Sequence, residues 1–181
     1  MKKVILFAIV LMGGVLNVCA QQATYGIVGG ATLASSTFEV GGDTDNSTAL
    51  GYHIGLQTQI TFNETWSLQP EILFTSLYET GDDAADDALN FIQVPVFMKY
   101  FASENFYILG GPQATFLLDT DIDTQEFTKF NIGAGLGLGY IFSNQIFIES
   151  RAIYQINNSY IGDGDVSSRR NFVNLSLGYK F

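Results

Sequence analysis

The sequence predicts an all-β protein: an eight-stranded, antiparallel, up-and-down β-barrel that spans a membrane. Three observations predict it. Segments of alternating apolar and polar residues recur along the chain, and successive side chains of a strand point to opposite faces. Short turns and long polar loops alternate between those segments. After residue 20 no apolar run approaches the roughly 18 residues of a transmembrane helix. A chain that crosses lipid without helices must close into a barrel, because only closure pairs every backbone polar group.

Residues 1–20 read as a signal peptide and residues 21–181 as the barrel. Lys2 and Lys3 form a short basic start, Val4 to Leu16 an apolar run, and Val18-Cys19-Ala20 a small-residue cleavage point after Ala20. Lipidation at Cys19 is the alternative, but Asn17 and Val18 fit a lipidation box poorly. Cleavage removes the sole cysteine, so no disulfide or thiolate metal site is expected, and no cofactor or metal is expected either. It also removes Lys2 and Lys3, taking the formal charge from −10 to −12. Such an acidic chain repels phosphate backbones, so nucleic acid is not an expected partner.

The first strand is read at Ala23–Ala34, with Tyr25, Ile27, Ala31 and Leu33 on one face. A polar loop is expected over Ser35–Ser47. The second strand, Thr48–Phe62, sets Leu50, Tyr52, Ile54, Leu56, Ile60 and Phe62 against His53, Gln57 and Gln59. After the tight turn Asn63–Thr65, the third strand (Trp66–Tyr78) points Trp66, Leu68, Ile72 and Phe74 outward and Gln69, Glu71 and Thr75 inward. The second loop is Glu79–Ala88. The fourth strand, Leu89–Phe101, turns Gln93 and Lys99 inward, and a short turn follows at Ala102–Asn105.

The fifth strand is Phe106–Leu118 and the third loop Asp119–Thr128. Pro70, Pro95 and Pro112 fall within strands three, four and five; proline removes a ladder bond, so bulges are expected there. The sixth strand, Lys129–Phe142, alternates bulky residues with Gly133, Gly135, Gly137 and Gly139, whose missing side chains leave room for large groups opposite. A short turn, Ser143–Gln145, leads to the seventh strand, Ile146–Asn157, with Glu149, Arg151 and Gln155 inward. The fourth loop is Asn158–Arg170. The last strand, Asn171–Phe181, alternates from Val173 through Leu175, Leu177 and Tyr179 to Phe181. An even strand number puts both termini on the periplasmic side, leaving the long loops outside. Aromatics at strand ends, among them Tyr25, Trp66, Tyr100, Phe130 and Phe142, give two interfacial girdles.

Each face suggests a chemistry. An eight-stranded barrel, the size of OmpA or OmpX, has an interior just wide enough for side chains to fill. Glu71, Lys99, Glu149 and Arg151, with His53 and the inward glutamines, are read as a polar lumen network. A structural core is the plainer reading; an ion path or gate is the functional one. His53, the lone histidine, has no Ser partner fixed by spacing, so it reads as structural and no catalytic residue is assigned. The four loops hold 14 of the 18 Asp and Glu residues. Asp82, Asp83, Asp86 and Asp87, and Asp119, Asp121 and Asp123, are oxygen-rich candidate cation-binding loops, without the full spacing of a calcium loop.

Two resemblances add to this. Leu177, Tyr179 and Phe181 resemble the C-terminal assembly signal of bacterial outer-membrane barrels, which implies the barrel assembly machinery as a partner. Leu68-Gln69-Pro70-Glu71, the segment Phe91 to Tyr100, the step Gly110-Gly111-Pro112, the glycines near Gly135 and the closing Leu177–Phe181 resemble the PorT-type outer-membrane β-barrel family of Bacteroidetes. That resemblance implies a Gram-negative outer-membrane location and contact with outer-membrane lipid and lipopolysaccharide. It carries no catalytic residue. The expected role is a monomeric structural, adhesive or binding scaffold meeting an extracellular ligand or protein through acidic loops. A narrow pore, a secretion or transport accessory and a small lipid-modifying enzyme are the alternatives, and a soluble lipocalin-like barrel is the architectural rival.

Overall fold

The computed structural model describes residues 23–41, 43–79, 88–118, 128–159 and 166–181. The segment read as a signal peptide lies outside them. The described residues form β1 (Ala23–Val40), β2 (Asp43–Thr61), β3 (Trp66–Glu79), β4 (Leu89–Phe101), β5 (Phe106–Leu117), β6 (Phe130–Ile141), β7 (Ile146–Gln155) and β8 (Val166–Lys180). The strands pair antiparallel in chain order, and β1 also pairs with β8, which closes the barrel. Closure removes the open edges that a flat sheet would expose. It runs from Gly26 opposite Lys180 to Val40 opposite Val166, and the Phe181 amide adds a bond to the Tyr25 carbonyl at 2.9 Å.

The alternation sorts the side chains as lipid requires. Leu136 is 75 % exposed and Leu177 58 %, whereas Glu149 and Arg151 are 1 % and 2 % exposed. An oily wall around a polar interior excludes the lipocalin-like arrangement, in which the faces would be exchanged. Thr58 and Ile60 share the outward parity of β2 and are nevertheless buried. Near the short turns, Tyr25, Phe62, Trp66, Tyr100, Phe106, Tyr140, Phe142 and Tyr179 form one exposed aromatic girdle, with the Trp66 and Tyr100 rings tilted against each other at 5.0 Å between centres. Tyr78, Phe130 and Tyr154 stand at the opposite end.

Two expected loops are corrected. Residues 35–47 are mostly strand: β1 and β2 stay paired from Ser35 opposite Thr48 to Val40 opposite Asp43. The hairpin turns at Gly41, whose φ of 59° is left-handed and suits a residue without a Cβ. Residues 166–170 likewise belong to β8, paired with β1 over Ser36–Val40. These stretches project beyond the lipid-facing band, so they need ladder bonds but no apolar face.

The expected bulges are also absent. Pairing lapses opposite Pro70 between β2 and β3, opposite Pro95 between β3 and β4, and opposite Pro112 between β4 and β5. It resumes each time in the same register. Each proline costs ladder bonds on one side only, without inserting a residue.

Candidate functional site in the barrel lumen

Four of the sequence-predicted residues meet at the barrel axis. Glu71 comes from β3, Lys99 from β4, and Glu149 and Arg151 from β7. Arg151 Nη1 donates to Glu71 Oε2 at 2.7 Å and Nη2 to Glu71 Oε1 at 2.6 Å. Arg151 Nε donates to Glu149 Oε2 at 2.9 Å, and Nη2 also contacts that oxygen. Lys99 Nζ lies 2.8 Å from Glu149 Oε1. The side chains in these ion pairs are 0–1 % exposed. Burying charge is costly unless each charge is paired and hydrogen-bonded, and here two carboxylates meet two cations. β3 and β7 stand four places apart in a ring of eight, so the Arg151–Glu71 pair bridges opposite walls.

Neutral groups complete the cluster. The Tyr107 hydroxyl donates to Glu149 Oε1 at 2.6 Å, and Gln69 Nε2 contacts Glu71 and reaches both Glu149 oxygens at 3.3 Å. Lys99 Nζ sits 4.0 Å over the Tyr107 ring, where the π face favours a cation. Toward the periplasmic mouth, Lys180 Nζ donates to Gln59 Oε1 at 2.9 Å and lies 5.4 Å from the Phe147 ring centre.

His53 is separate from the ion cluster. Its Nδ1 lies 2.8 Å from Thr32 Oγ1 and its Nε2 2.8 Å from Ser176 Oγ. Ser176 is the partner that sequence spacing could not supply: β1 lies between β2 and β8, and the closed register sets Gly30 opposite both residues. The contact has the donor set of a Ser–His pair, but both residues are 2 % exposed and Nδ1 faces a hydroxyl where a triad would hold a carboxylate.

An apolar cluster runs from the level of the ion pairs, where Leu109 stands opposite Lys99 and Arg151 lies over the Phe97 ring, up through the extracellular half. Leu77, Phe91, Phe97, Leu109, Ile153 and Phe172 pack with Ala34 and Ala49. Phe91 on β4 and Phe172 on β8, again on opposite walls, meet edge to face with ring centres 6.1 Å apart. Glycines make the space. A Cβ at Gly135 would stand 2.8 Å from Phe97 Cζ, and one at Gly139 or Gly178 would run into the Tyr107 or Phe147 ring.

Sequence reasoning missed Phe91, Phe97, Tyr107, Phe147 and Phe172 as lumen residues. Their parity held the signal: Phe97 precedes Lys99 by two, and Phe147 precedes Glu149 by two. Of the other predicted sites, Asp82, Asp83, Asp86, Asp87, Asp119, Asp121 and Asp123 lie outside the described residues. Leu177 and Tyr179 face outward on β8, and Phe181 follows at its end.

The sequence profile described as "Outer membrane protein beta-barrel domain" matches residues 5–181. The chain belongs to this outer-membrane β-barrel family. Family membership and the lipid-ready wall together place the protein in the outer membrane. Among solved structures, neisserial surface protein A (NspA) is similar with a TM-score of 0.58 at 15 % identity, over 89 % of this chain and 100 % of that one. Ail, the attachment invasion locus protein of Yersinia pestis, is similar with a TM-score of 0.51 at 16 % identity, also over 89 % of this chain and 100 % of its own. At these identities the likeness is one of fold. No curated protein matches the chain significantly.

Proposed function

We propose that this family member is a side-chain-filled scaffold whose binding work is done at its extracellular end. The observation that carries the reading is the Arg151–Glu71 bridge, which joins opposite walls where a pore would need open space. The Phe91–Phe172 contact spans the axis at a second level. Lys99, Gln69, Gln93, Leu73 and Leu77, placed at successive heights along the lumen, are each 0 % exposed, which leaves no water-wide path past them. This weighs against the narrow pore and transport accessory.

The outward projections favour a structural, adhesive or binding role. The β1–β2 hairpin and the start of β8 extend beyond the barrel wall, carrying Glu39, Asp43 and Asp45. Ail has been solved in complex with the heparin analogue sucrose octasulfate. The −10 formal charge of this chain, most of it in its external loops, disfavours a polyanion of that kind. A neutral or basic extracellular ligand or protein fits better. Within the family we set the chain beside the PorT-type barrels, on the Leu68–Glu71 and Phe91–Tyr100 segments. It works as a monomer without a cofactor, is not an enzyme, and uses Leu177, Tyr179 and Phe181 as its assembly signal.

The test is removal of residues 38–46, and separately of 80–87 and 119–127, followed by binding of the cells to host and neighbouring-cell surfaces. Loss of binding with unchanged barrel yield is expected from at least one deletion. Unchanged binding in all three removes the adhesive reading.

A further inference from the structure

The sheet that rises above the lipid-facing band has two edges, and the chain treats them differently. β1 is paired on both sides up to its end, with Val40 opposite Asp43 on β2 and opposite Val166 on β8. Three strands therefore continue past the barrel wall, with β8 at one edge and β2 at the other. Three paired strands, continuous with the barrel below, make a firm platform.

The β8 edge is closed. Its ladder with β7 stops at Ile153 opposite Phe172, and other groups take over beyond that point. The Arg170 amide donates to Gln155 Oε1 at 3.1 Å and the Ser168 amide to Asn158 Oδ1 at 2.7 Å, while the Ser168 carbonyl accepts from the Ser159 amide at 2.8 Å. The β2 edge is open. Its ladder with β3 begins only at Ala49 opposite Glu79. Asp43, Thr44, Asp45, Asn46 and Ser47 meet no strand on that side among the described residues, and all five are exposed. Every second residue of such a stretch turns its amide and carbonyl to the open side. The usual blunting devices are missing: the pairing with β1 runs unbroken through these residues, and the stretch holds no proline or lysine.

The side chains select the occupant. Asp43 and Asp45 have the parity of His53 and Gln57 and so continue the lumen-side face, whereas Thr44 and Asn46 continue the other. An added strand would bring alternate side chains to about 5 Å from the two carboxylates, where opposite charges stabilise and like charges repel. A second copy of this chain is a poor fit by that rule. Antiparallel self-pairing centred on Thr44 sets Asp43 against Asp45, and pairing centred on Asp45 sets the two Asp45 side chains together. A strand with cations at every second position meets no such conflict.

We propose that residues 43–47 of β2 accept an extended basic peptide segment by strand addition, with Lys or Arg at alternate positions of the partner facing Asp43 and Asp45. Main-chain bonds along the open edge supply the affinity, and the two carboxylates choose the partner. The proposal rests on the reading that binding is done at the extracellular end, and it adds the edge, the mode and the occupant.

Peptide titration and hydrogen–deuterium exchange of the detergent-purified full chain test it. The probe is a short peptide alternating Lys and Thr, with two controls: Glu in place of every Lys, and the Lys–Thr peptide N-methylated at every amide. The Lys–Thr peptide is expected to bind about tenfold tighter than either control and to slow exchange at amides within residues 43–47. Asp43→Asn/Asp45→Asn is expected to bring the Lys–Thr and Glu–Thr peptides to within about twofold of each other, while Glu64→Gln, in a periplasmic turn, leaves the preference intact. Heat-modifiable migration reports folding, and single Asp45→Asn serves if the double variant fails to fold. Equal binding of the methylated peptide, no added protection of residues 43–47, an unchanged charge preference in the folded variant, or a dimer of this chain that protects the same amides overturns the proposal. If it is overturned while removal of residues 80–87 or 119–127 still abolishes binding of the cells, strand addition falls and the extracellular binding reading stands.

Discussion

Arg151 and Glu71, eighty residues apart, meet as a two-toothed pair across the barrel axis, with both N···O distances at 2.6–2.7 Å. Parallel hydrogen bonds of this kind fix orientation as well as charge. Because Glu149 accepts from the same guanidinium, one arginine holds two carboxylates together, and Lys99 supplies the balancing charge.

Removing the arginine leaves two carboxylates buried with one lysine. Arg151→Met is expected to destabilise the barrel by about 3–5 kcal/mol. The double variant Glu71→Gln/Arg151→Met restores neutrality around Glu149 and Lys99 and is expected to regain much of that loss. Urea titration in detergent, read by heat-modifiable migration, distinguishes the two.

The glycine sockets predict a coupled pair. Gly178→Ala would drive a Cβ into the Phe147 ring and is expected to cost about 1–3 kcal/mol. Phe147→Leu should relieve the clash, so the double variant is expected to be more stable than the sum of the two changes implies. Additive losses in the same titration would show that the ring does not need the socket.

The outward face was legible because lipid demands an apolar residue at every second position, and Phe130 to Tyr140 obey that rule without exception in β6. The projecting parts of β1 and β8 were not, because beyond the bilayer the same ladder carries serines, threonines and arginines that look like loop. Glu71, Lys99, Glu149 and Arg151 could be assigned to the lumen by parity alone. That Arg151 would reach Glu71, or His53 Ser176, depends on how far the closed strands are staggered, which alternation does not encode. The lumen aromatics were hidden by the habit of assigning bulky residues to lipid: Phe97 and Tyr107 fit inside only because Gly135 and Gly139 face them.

His53 is held by hydroxyls at both nitrogens. Loss of these bonds in His53→Ala leaves Thr32 and Ser176 without this partner, and the expected cost is about 1–3 kcal/mol. Lipid A composition is expected to be identical in wild-type and His53→Ala strains. A lipid species lost in the variant would argue for enzymatic work by His53 and Ser176.

The last strand predicts an assembly phenotype. Phe181→Ala, alone and with Tyr179→Ala, is expected to slow insertion, seen as unfolded protein held in the periplasm. The barrel that does insert should unfold near the wild-type urea concentration, since the Phe181 side chain is 71 % exposed. A matching loss of stability and insertion would make the residue structural.

The most direct test of a closed lumen is single-channel recording of the purified barrel in planar bilayers, with wild type beside Arg151→Ala/Phe172→Ala, which removes one partner from the Arg151–Glu71 contact and one from the Phe91–Phe172 contact. Wild-type protein is expected to give no conductance steps, and the double variant, where folded, to give small ones. Stable wild-type steps of constant size would contradict the filled interior and return the protein to the narrow pores.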